Sequence, residues 1–351
     1  MRKESFFRTP REAALALIAR APVVHLATSR PDGEPVLRAM HGVLVQGAIF
    51  FHGSPAGEKV ECVGRRAVVS AEELVAEIPS WFLDERRGCP AATFYRAAQV
   101  HGRIEVVEGK VEKAHVLQAF MEKYQPEGRH AKVEPGALYD ADLDGTMVLR
   151  IDPERVDGKD KLGQNRRPAE LVRIVEHLWA RRAPGDAAAV DAILDANPAL
   201  DPPPFLASAQ GVRLRCAMGA ESVDEVADLL SGVPWLSGVP REAVVRAHLT
   251  SQAWIGARGP EGELAGSVRA ISDGEVAVLA DLVVAPAWRN LGIGKALLRL
   301  LLDHPAVRPA RILRIHLSEA HALFERFGFL VASFRRRPAD PLEMVLERDA
   351  R

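Results

Sequence analysis

Cysteine is scarce in this sequence: Cys62, Cys89 and Cys216 are the only three in 351 residues, an odd number at spacings that match no zinc site. That argues against a disulfide scaffold and against structural zinc, and makes a reducing cytoplasm the expected compartment. An excess of either charge is also missing. Lys and Arg number 46 against 47 Asp and Glu, a formal net charge of −1, so the chain has no global basic field for nucleic acid or a membrane surface. No long apolar run is present. The chain begins Met1–Arg2–Lys3, but Arg11, Glu12 and Arg20 interrupt the apolar stretch after it, which fits neither a signal peptide nor a membrane span. Tyrosine occurs three times and last at Tyr139, so the C-terminal half has no phenol with which to do acid chemistry.

The composition that remains, 48% hydrophobic and 26% charged, is that of an ordinary soluble globular protein. Its length exceeds what one core usually serves, so two domains are expected. Thr9–Pro10–Arg11–Glu12 predicts a helix capped by Thr9. Then Val23–Thr28, Val36–Val45 and Ala48–His52 alternate with turn residues and predict antiparallel strands, with Phe94–Val107 and Thr146–Ile151 as later strands and Lys110–Tyr124 as a helix. Residues 168–210 read as a helical, Pro-rich linker ending in Pro202–Pro203–Pro204. From 211 the pattern is α/β: strands at 212–217, 253–257, 264–271, 276–284, 312–316 and near 342–346, with helices at 222–230, 293–303 and 320–327. No internal repeat relates the halves.

The sharpest chemistry lies in Leu282–Val283–Val284–Ala285–Pro286–Ala287–Trp288–Arg289–Asn290–Leu291–Gly292–Ile293–Gly294–Lys295. An apolar strand, a turn, an Arg-x-x-Gly-x-Gly loop and a leucine-rich helix come in that order. The order aims backbone N–H groups at one point beside a helix N-terminus, which suits a pyrophosphate. Gly292 and Gly294 permit close backbone approach, and Arg289 adds positive charge. Asp281 stands in an apolar strand, where an unpaired carboxylate is costly. It reads either as a site residue, relaying a proton or holding a cationic amine, or as a structural carboxylate at a bulge. Asp273 and Glu275 read as solvated turn residues or substrate contacts, His316 and His321 as structural or as assisting the chemistry, and Arg335–Arg336–Arg337 as a solvated run.

These residues resemble the GNAT acetyltransferase superfamily over roughly residues 211–349. The likeness continues through Glu319–Ala320–His321–Ala322–Leu323–Phe324–Glu325–Arg326–Phe327–Gly328–Phe329, and upstream through Trp235, the 251–256 strand, Arg269, Ser272, Asp273 and Asp281. The resemblance implies an α/β fold with a central mixed sheet. It implies acetyl-CoA, its pyrophosphate on the amides of Arg289, Asn290, Leu291, Gly292, Ile293, Gly294 and Lys295 and its pantetheine along Val283 and Val284. The family often carries Tyr where this chain has Phe324, which leaves water, Ser318 or another group as the acid for the departing thiolate, or no acid at all.

In the N-terminal half, Arg38 falls on one predicted strand and His52, Gly53, Ser54 and Lys59 just past the next. A hairpin would gather two cations, a hydroxyl and glycine amides around one anion. With Thr93–Phe94–Tyr95–Arg96, Gln99–Val100–His101–Gly102–Arg103 and Lys161–Leu162–Gly163–Gln164–Asn165–Arg166, these residues resemble the pyridoxamine-5′-phosphate-oxidase-like split barrel. Within that group they resemble its nitroimidazole-resistance-like branch, over roughly residues 5–167. The resemblance implies an antiparallel split β-barrel with flanking helices, FMN with its phosphate on Arg38, Ser54 and Lys59, and a barrel homodimer. Barrels of this kind also hold haem or a deazaflavin. His25, His41 and His101 read as packing residues, and Tyr95 as a core residue or a flavin contact.

The expected organisation is therefore a flavin-binding split barrel (1–167), a linker (168–210) and a GNAT domain (211–351). Three functions stay open: N-acetyl transfer from acetyl-CoA to a small amine, flavin-dependent reduction of nitro compounds with an accessory GNAT half, or flavin and CoA sensing without catalysis.

Overall fold

The computed structural model describes residues 7–209, 211–317, 319–332 and 342–348. The chain divides into two compact units, one of residues 1–77 and 93–165, the other of residues 78–92 and 166–351. In the first, β1 (Arg8–Thr9) and α1 (Arg11–Arg20) precede β2 (Val24–Ser29), β3 (Pro35–Met40), β4 (Val43–Val45) and β5 (Ala48–Gly53). The short α2 (Glu58–Glu61), β6 (Arg66–Ile78), β7 (Ala92–Arg103) and β8 (Glu105–Val106) come next. After them stand α3 (Lys110–Tyr124), α4 (Asp140–Gly145), β9 (Met147–Ile151) and β10 (Arg155–Lys161).

These strands form two antiparallel sheets, ordered β1-β10-β7-β6-β2-β3 and β4-β5-β9-β8. One core fills the space between them, with Val24, Leu26, Val69 and Val100 from the first sheet against Ile49, Phe51, Leu149 and Ile151 from the second. Each such side chain contributes about 1.5–3 kcal/mol by leaving water.

Two expectations change here. Val36–Val45 is not one strand: β3 pairs with β2, Arg38 opposite Leu26, while β4 pairs with β5, Val45 opposite Ala48. The chain passes from one sheet to the other at Gly42, where a β-carbon would lie 3.1 Å from Val24 Cγ2 and 3.2 Å from Phe51 Cε1. Only glycine fits that crossing without displacing both walls. Thr9 does not cap α1. It pairs with Gly158 in β10, the cap position falls on Pro10, and no side chain caps the helix.

The second unit runs α5 (Pro168–Arg181), α6 (Asp186–Ala196), β11 (Arg213–Arg215), α7 (Val223–Leu230), α8 (Arg241–Leu249), β12 (Ala253–Arg258), β13 (Leu264–Ser272) and β14 (Val276–Val284). It continues with α9 (Ile293–Asp303), β15 (Ile312–Leu317), α10 (His321–Glu325), β16 (Leu330–Val331) and β17 (Leu342–Glu347). Its sheet is ordered β11-β12-β13-β14-β15-β17-β16, antiparallel throughout except for the parallel pair β14–β15. Helix α9 buries Ile293, Ala296, Leu297, Leu298, Leu300 and Leu301 and leaves Lys295 and Arg299 in solvent, the pattern of an amphipathic helix lying on a sheet.

Residues 168–209 group with this unit and supply α5 and α6. Trp179 of α5 donates from Nε1 to Asp303 Oδ2 of α9 at 2.6 Å and stacks on Phe205. Asp191 of α6 accepts the N–H groups of Cys216 and Ala217 at 3.0 and 2.9 Å, which ties the helix to the end of β11. Burial raises the Asp191 carboxyl to about 6. His304 holds Cys216 from its other side through the Cys216 backbone, while its Nδ1 accepts the Ala306 N–H at 3.1 Å. Burial lowers this imidazole to about 4. A second proton would have to sit on Nδ1, facing the Ala306 amide hydrogen.

Candidate functional site

The parallel register of β14 and β15 covers three pairs, Val276↔Ile312, Ala277↔Leu313 and Val278↔Arg314. Beyond Val278 the two strands part. A cavity of about 920 Å³ opens there, walled by 278–284 on one side and 315–317 on the other, with 232–235 and the start of α10 adding to its rim. A strand whose neighbour has peeled away presents backbone donors and acceptors along that edge, as an extended ligand requires.

The loop carrying the Arg-x-x-Gly-x-Gly motif borders the same cavity. Gly292 caps α9 with φ of 81°, and Asn290 also has positive φ, 64°. The first N–H returned to the helix is that of Ala296, bonded to the Gly292 carbonyl at 3.0 Å, so the donors of the first turn have no intrahelical acceptor. They point where a negative charge is favoured by the helix dipole. Arg289 donates from Nε to the Val284 carbonyl at 3.2 Å, which anchors its guanidinium beside the loop.

The two motif glycines differ in what demands them. A β-carbon on Gly292 would meet nothing, so its positive φ is what calls for glycine. At Gly294 a β-carbon would make ordinary contacts, 3.7 Å to Val284 Cγ2 and 3.8 Å to Leu323 Cδ2. The side chains of Val283 and Ile293 are buried in the core, so only their backbone can serve a ligand, whereas Asn290, Leu291 and Lys295 are exposed.

Asp281 lines the cavity and stands at an irregularity in the sheet. Ser267 pairs with Val283 but Arg269 pairs with Ala280, so Asp281 and Leu282 bulge out of register, and Asp281 takes φ of 55°. Its Oδ2 accepts from Arg269 Nε at 2.6 Å, with the side chains 7% and 12% exposed. This partner is not visible in the sequence, because only the strand register shows that the two residues are cross-strand neighbours. Arg269 Nη1 also donates to Ser251 Oγ at 3.4 Å.

Phe324 is buried at the cavity wall, edge-on to Phe329 at 5.4 Å between centroids. His316 is exposed on the β15 wall, and His321 Nε2 lies 3.3 Å from the Leu317 carbonyl. Ser318 and Arg335–Arg336–Arg337 lie outside the described residues.

In the first unit the proposed phosphate ligands are divided. Arg38 is on β3 at the edge of one sheet and donates from Nη1 to the Leu37 carbonyl. His52 and Gly53 are on β5 in the other sheet, opposite Val148 and Met147 of β9. They are not two arms of one hairpin, because the crossing at Gly42 separates their strands. Lys59 does converge with the β5 end: its ammonium occupies the space a Gly53 β-carbon would need, 2.1 Å from that position. His52 packs edge-on to Phe120 at 4.6 Å, and burial, then Lys59 and His41, lower its pKa. Tyr95 is half-buried, its hydroxyl accepting from Lys159 Nζ at 2.7 Å with Lys161 over its ring.

A comparison with curated protein sequences finds no match. Among solved structures the chain resembles the flavocytochrome Anf3 of Azotobacter vinelandii, at 17% identity over 46% of this chain and 71% of that one, TM-score 0.38. It also resembles an FAD and heme binding protein of Mycobacterium smegmatis, at 21% identity over 44% and 73%, TM-score 0.37. A candidate acetyltransferase from Pyrococcus horikoshii matches at 22% identity over 35% of this chain and 44% of that one, TM-score 0.31. Residues 10–160 match the family described as pyridoxamine 5′-phosphate oxidase, and residues 225–329 match the acetyltransferase (GNAT) family. The chain joins a pyridoxamine-5′-phosphate-oxidase-like split-barrel domain to a GNAT domain.

Proposed function

We propose that the C-terminal domain transfers acetyl from acetyl-CoA to a small primary amine and that the N-terminal barrel holds FMN. The observation that carries the first part is the cavity between the parting strands β14 and β15, bordered by the free first-turn N–H groups of α9. In this reading the amides of residues 289–295 and the Arg289 charge take the pyrophosphate, and the edge of Val283–Val284 takes the pantetheine. The amine nitrogen attacks the thioester carbonyl carbon, a C–N bond forms and the C–S bond breaks. A backbone N–H of the bulged stretch receives the oxyanion. The proton leaves the amine for water or for the Asp281 oxygen that Arg269 does not hold. Phe324 has no proton to give, so the thiolate is protonated by water or by Ser318. Positioning and oxyanion stabilisation then carry most of the acceleration.

The test is acetyl transfer over a panel of small amines, with Gly292→Trp as the control that blocks the loop. Absence of turnover with every amine, in protein that binds acetyl-CoA, would leave a CoA-binding module in place of an enzyme.

For the barrel, support comes from the family match and from Lys59 lying against Gly53 beside His52, whose pKa burial lowers. Ser54 and Lys59 at the end of β5 would hold the phosphate, without Arg38, whose strand lies in the other sheet, and bound FMN would supply hydride or electron transfer, as in a reductase. A flavin absorption band in purified protein, with FMN released on denaturation, tests the site, and NAD(P)H oxidation then tests reductase activity. A homodimer through the barrel belongs to the same reading, and a monomer by light scattering would count against it.

A further inference from the structure

We infer that Arg269 and Asp281 form a latch that fixes the β14 bulge, and that Arg269 is a positioning residue for acyl transfer although it does not line the cavity. The inference rests on the acetyl-transfer reading. Asp281 and Leu282 are the two residues of β14 that fall out of register with β13, and both line the cavity. The bulge therefore falls at the position where the strand edge meets the ligand space. A bulge of this kind survives only if something fixes it. Asp281 sits at φ of 55°, a conformation that costs a β-carbon-bearing residue about 1–2 kcal/mol and that Asp tolerates better than most when its side chain is bonded nearby.

That bond is made by Arg269, at 2.6 Å. The pair is nearly closed to solvent, and Arg269 is itself braced on Ser251, whose Oγ donates to the Ala247 carbonyl at 2.7 Å. An ion pair so enclosed is held by its geometry, because separating the partners would strand a buried charge. The braced chain runs from α8 through Ser251 and Arg269 to Asp281. Its output is the direction of the bulged amides.

The latch and base readings separate by side-chain size at residue 281. Three variants are compared: Asp281→Asn, Asp281→Gly with Arg269→Met, and Asp281→Ala with Arg269→Met. Asn keeps an acceptor for Arg269, and Gly takes positive φ freely, but Ala does neither. The first readout is the affinity for acetyl-CoA relative to CoA by calorimetry, since an amide aimed at the thioester carbonyl favours the acetylated form. The latch predicts that the Ala pair loses about tenfold of this preference while the Gly pair and Asp281→Asn stay within about threefold of the parent. Equal losses in the Gly and Ala pairs would overturn it. The second readout is hydrogen exchange of amides 280–283, which needs no ligand. Exchange about tenfold faster in the Ala pair alone supports the latch, and unchanged protection in all three variants refutes it. Parent protein that binds neither form of the coenzyme would fail the acetyl-transfer reading, while the exchange result still decides the latch.

Discussion

Replacing His304 with Gln should weaken the second unit at neutral pH and lose most of that effect in mild acid. His304 is buried with both ring nitrogens engaged, one at the Cys216 backbone and one accepting from Ala306. Losing that fit costs about 2–3 kcal/mol at about pH 7. In the parent the imidazole titrates near 4 when folded against a usual value of 6.5. As pH falls, the unfolded chain therefore takes up a proton first, and stability drops between about 6.5 and about 4. The whole shift corresponds to about 3 kcal/mol, of which about 2 kcal/mol is lost between about pH 7 and about pH 5. The variant has no such loss, so its deficit relative to the parent should shrink by about 2 kcal/mol over that interval.

Asp191, across Cys216, has the opposite sign. Its carboxyl titrates near 6 when folded against 3.8 otherwise. The folded state takes up that proton first, and stability rises as pH falls through about 6. The two groups nearly cancel in the parent, so the effect shows only in variants. Asp191→Asn should grow worse relative to the parent by about 1 kcal/mol between about pH 7 and about pH 5. Urea unfolding of each protein at the two pH values, followed by tryptophan fluorescence, measures the differences. A His304→Gln deficit that is the same at both, or larger in acid, would refute the assignment of a neutral buried imidazole.

Gly292→Ala should lower acetyl-CoA affinity by about tenfold, through the cost of positive φ at the helix cap, as read by calorimetry. Gly294→Ala should leave the melting temperature unchanged, because its methyl meets only ordinary contacts, yet weaken acetyl-CoA by crowding the loop. Gly102→Ala should destabilise the barrel by about 1–3 kcal/mol in urea unfolding, since its β-carbon would sit 2.3 Å from the Asp152 carbonyl oxygen. Lys59→Ala should reduce FMN retention in gel filtration while leaving the acetyl-CoA affinity of the other domain unchanged.

The helices and the strand–loop–helix motif were legible because their signals are local. Lys110–Tyr124 and Ile293–Asp303 begin and end where their side chains change character, and Val276–Val284 is an apolar strand broken by Asp281. The long strand Arg66–Ile78 was not legible. Its buried positions, Ala67, Val69, Ala71, Ala76 and Ile78, are interrupted by Glu72 and Glu73, and Glu73 is neutralised by Arg20 and Arg96, far away in sequence. Helix Arg241–Leu249 was missed for a similar reason, since it buries only Val244 and His248. In the candidate sites, the glycines and Arg289 could be named from spacing. The Arg269 partner of Asp281 and the separation of Arg38 from His52 could not, because both depend on register and on which sheet a strand joins.

The three-residue contact between β14 and β15 makes the acetyltransferase-type sheet a pair of leaves joined along a short seam. β11 to β14 form one leaf, β15 to β17 the other, and no other strand pairing joins the leaves among the described residues. A molecule seated in the opening would bridge both leaves where the protein's own hydrogen bonds stop. Occupancy would then act as a missing rung. It should slow exchange along the free edges of both strands and raise the unfolding temperature of this unit in proportion to the logarithm of ligand concentration.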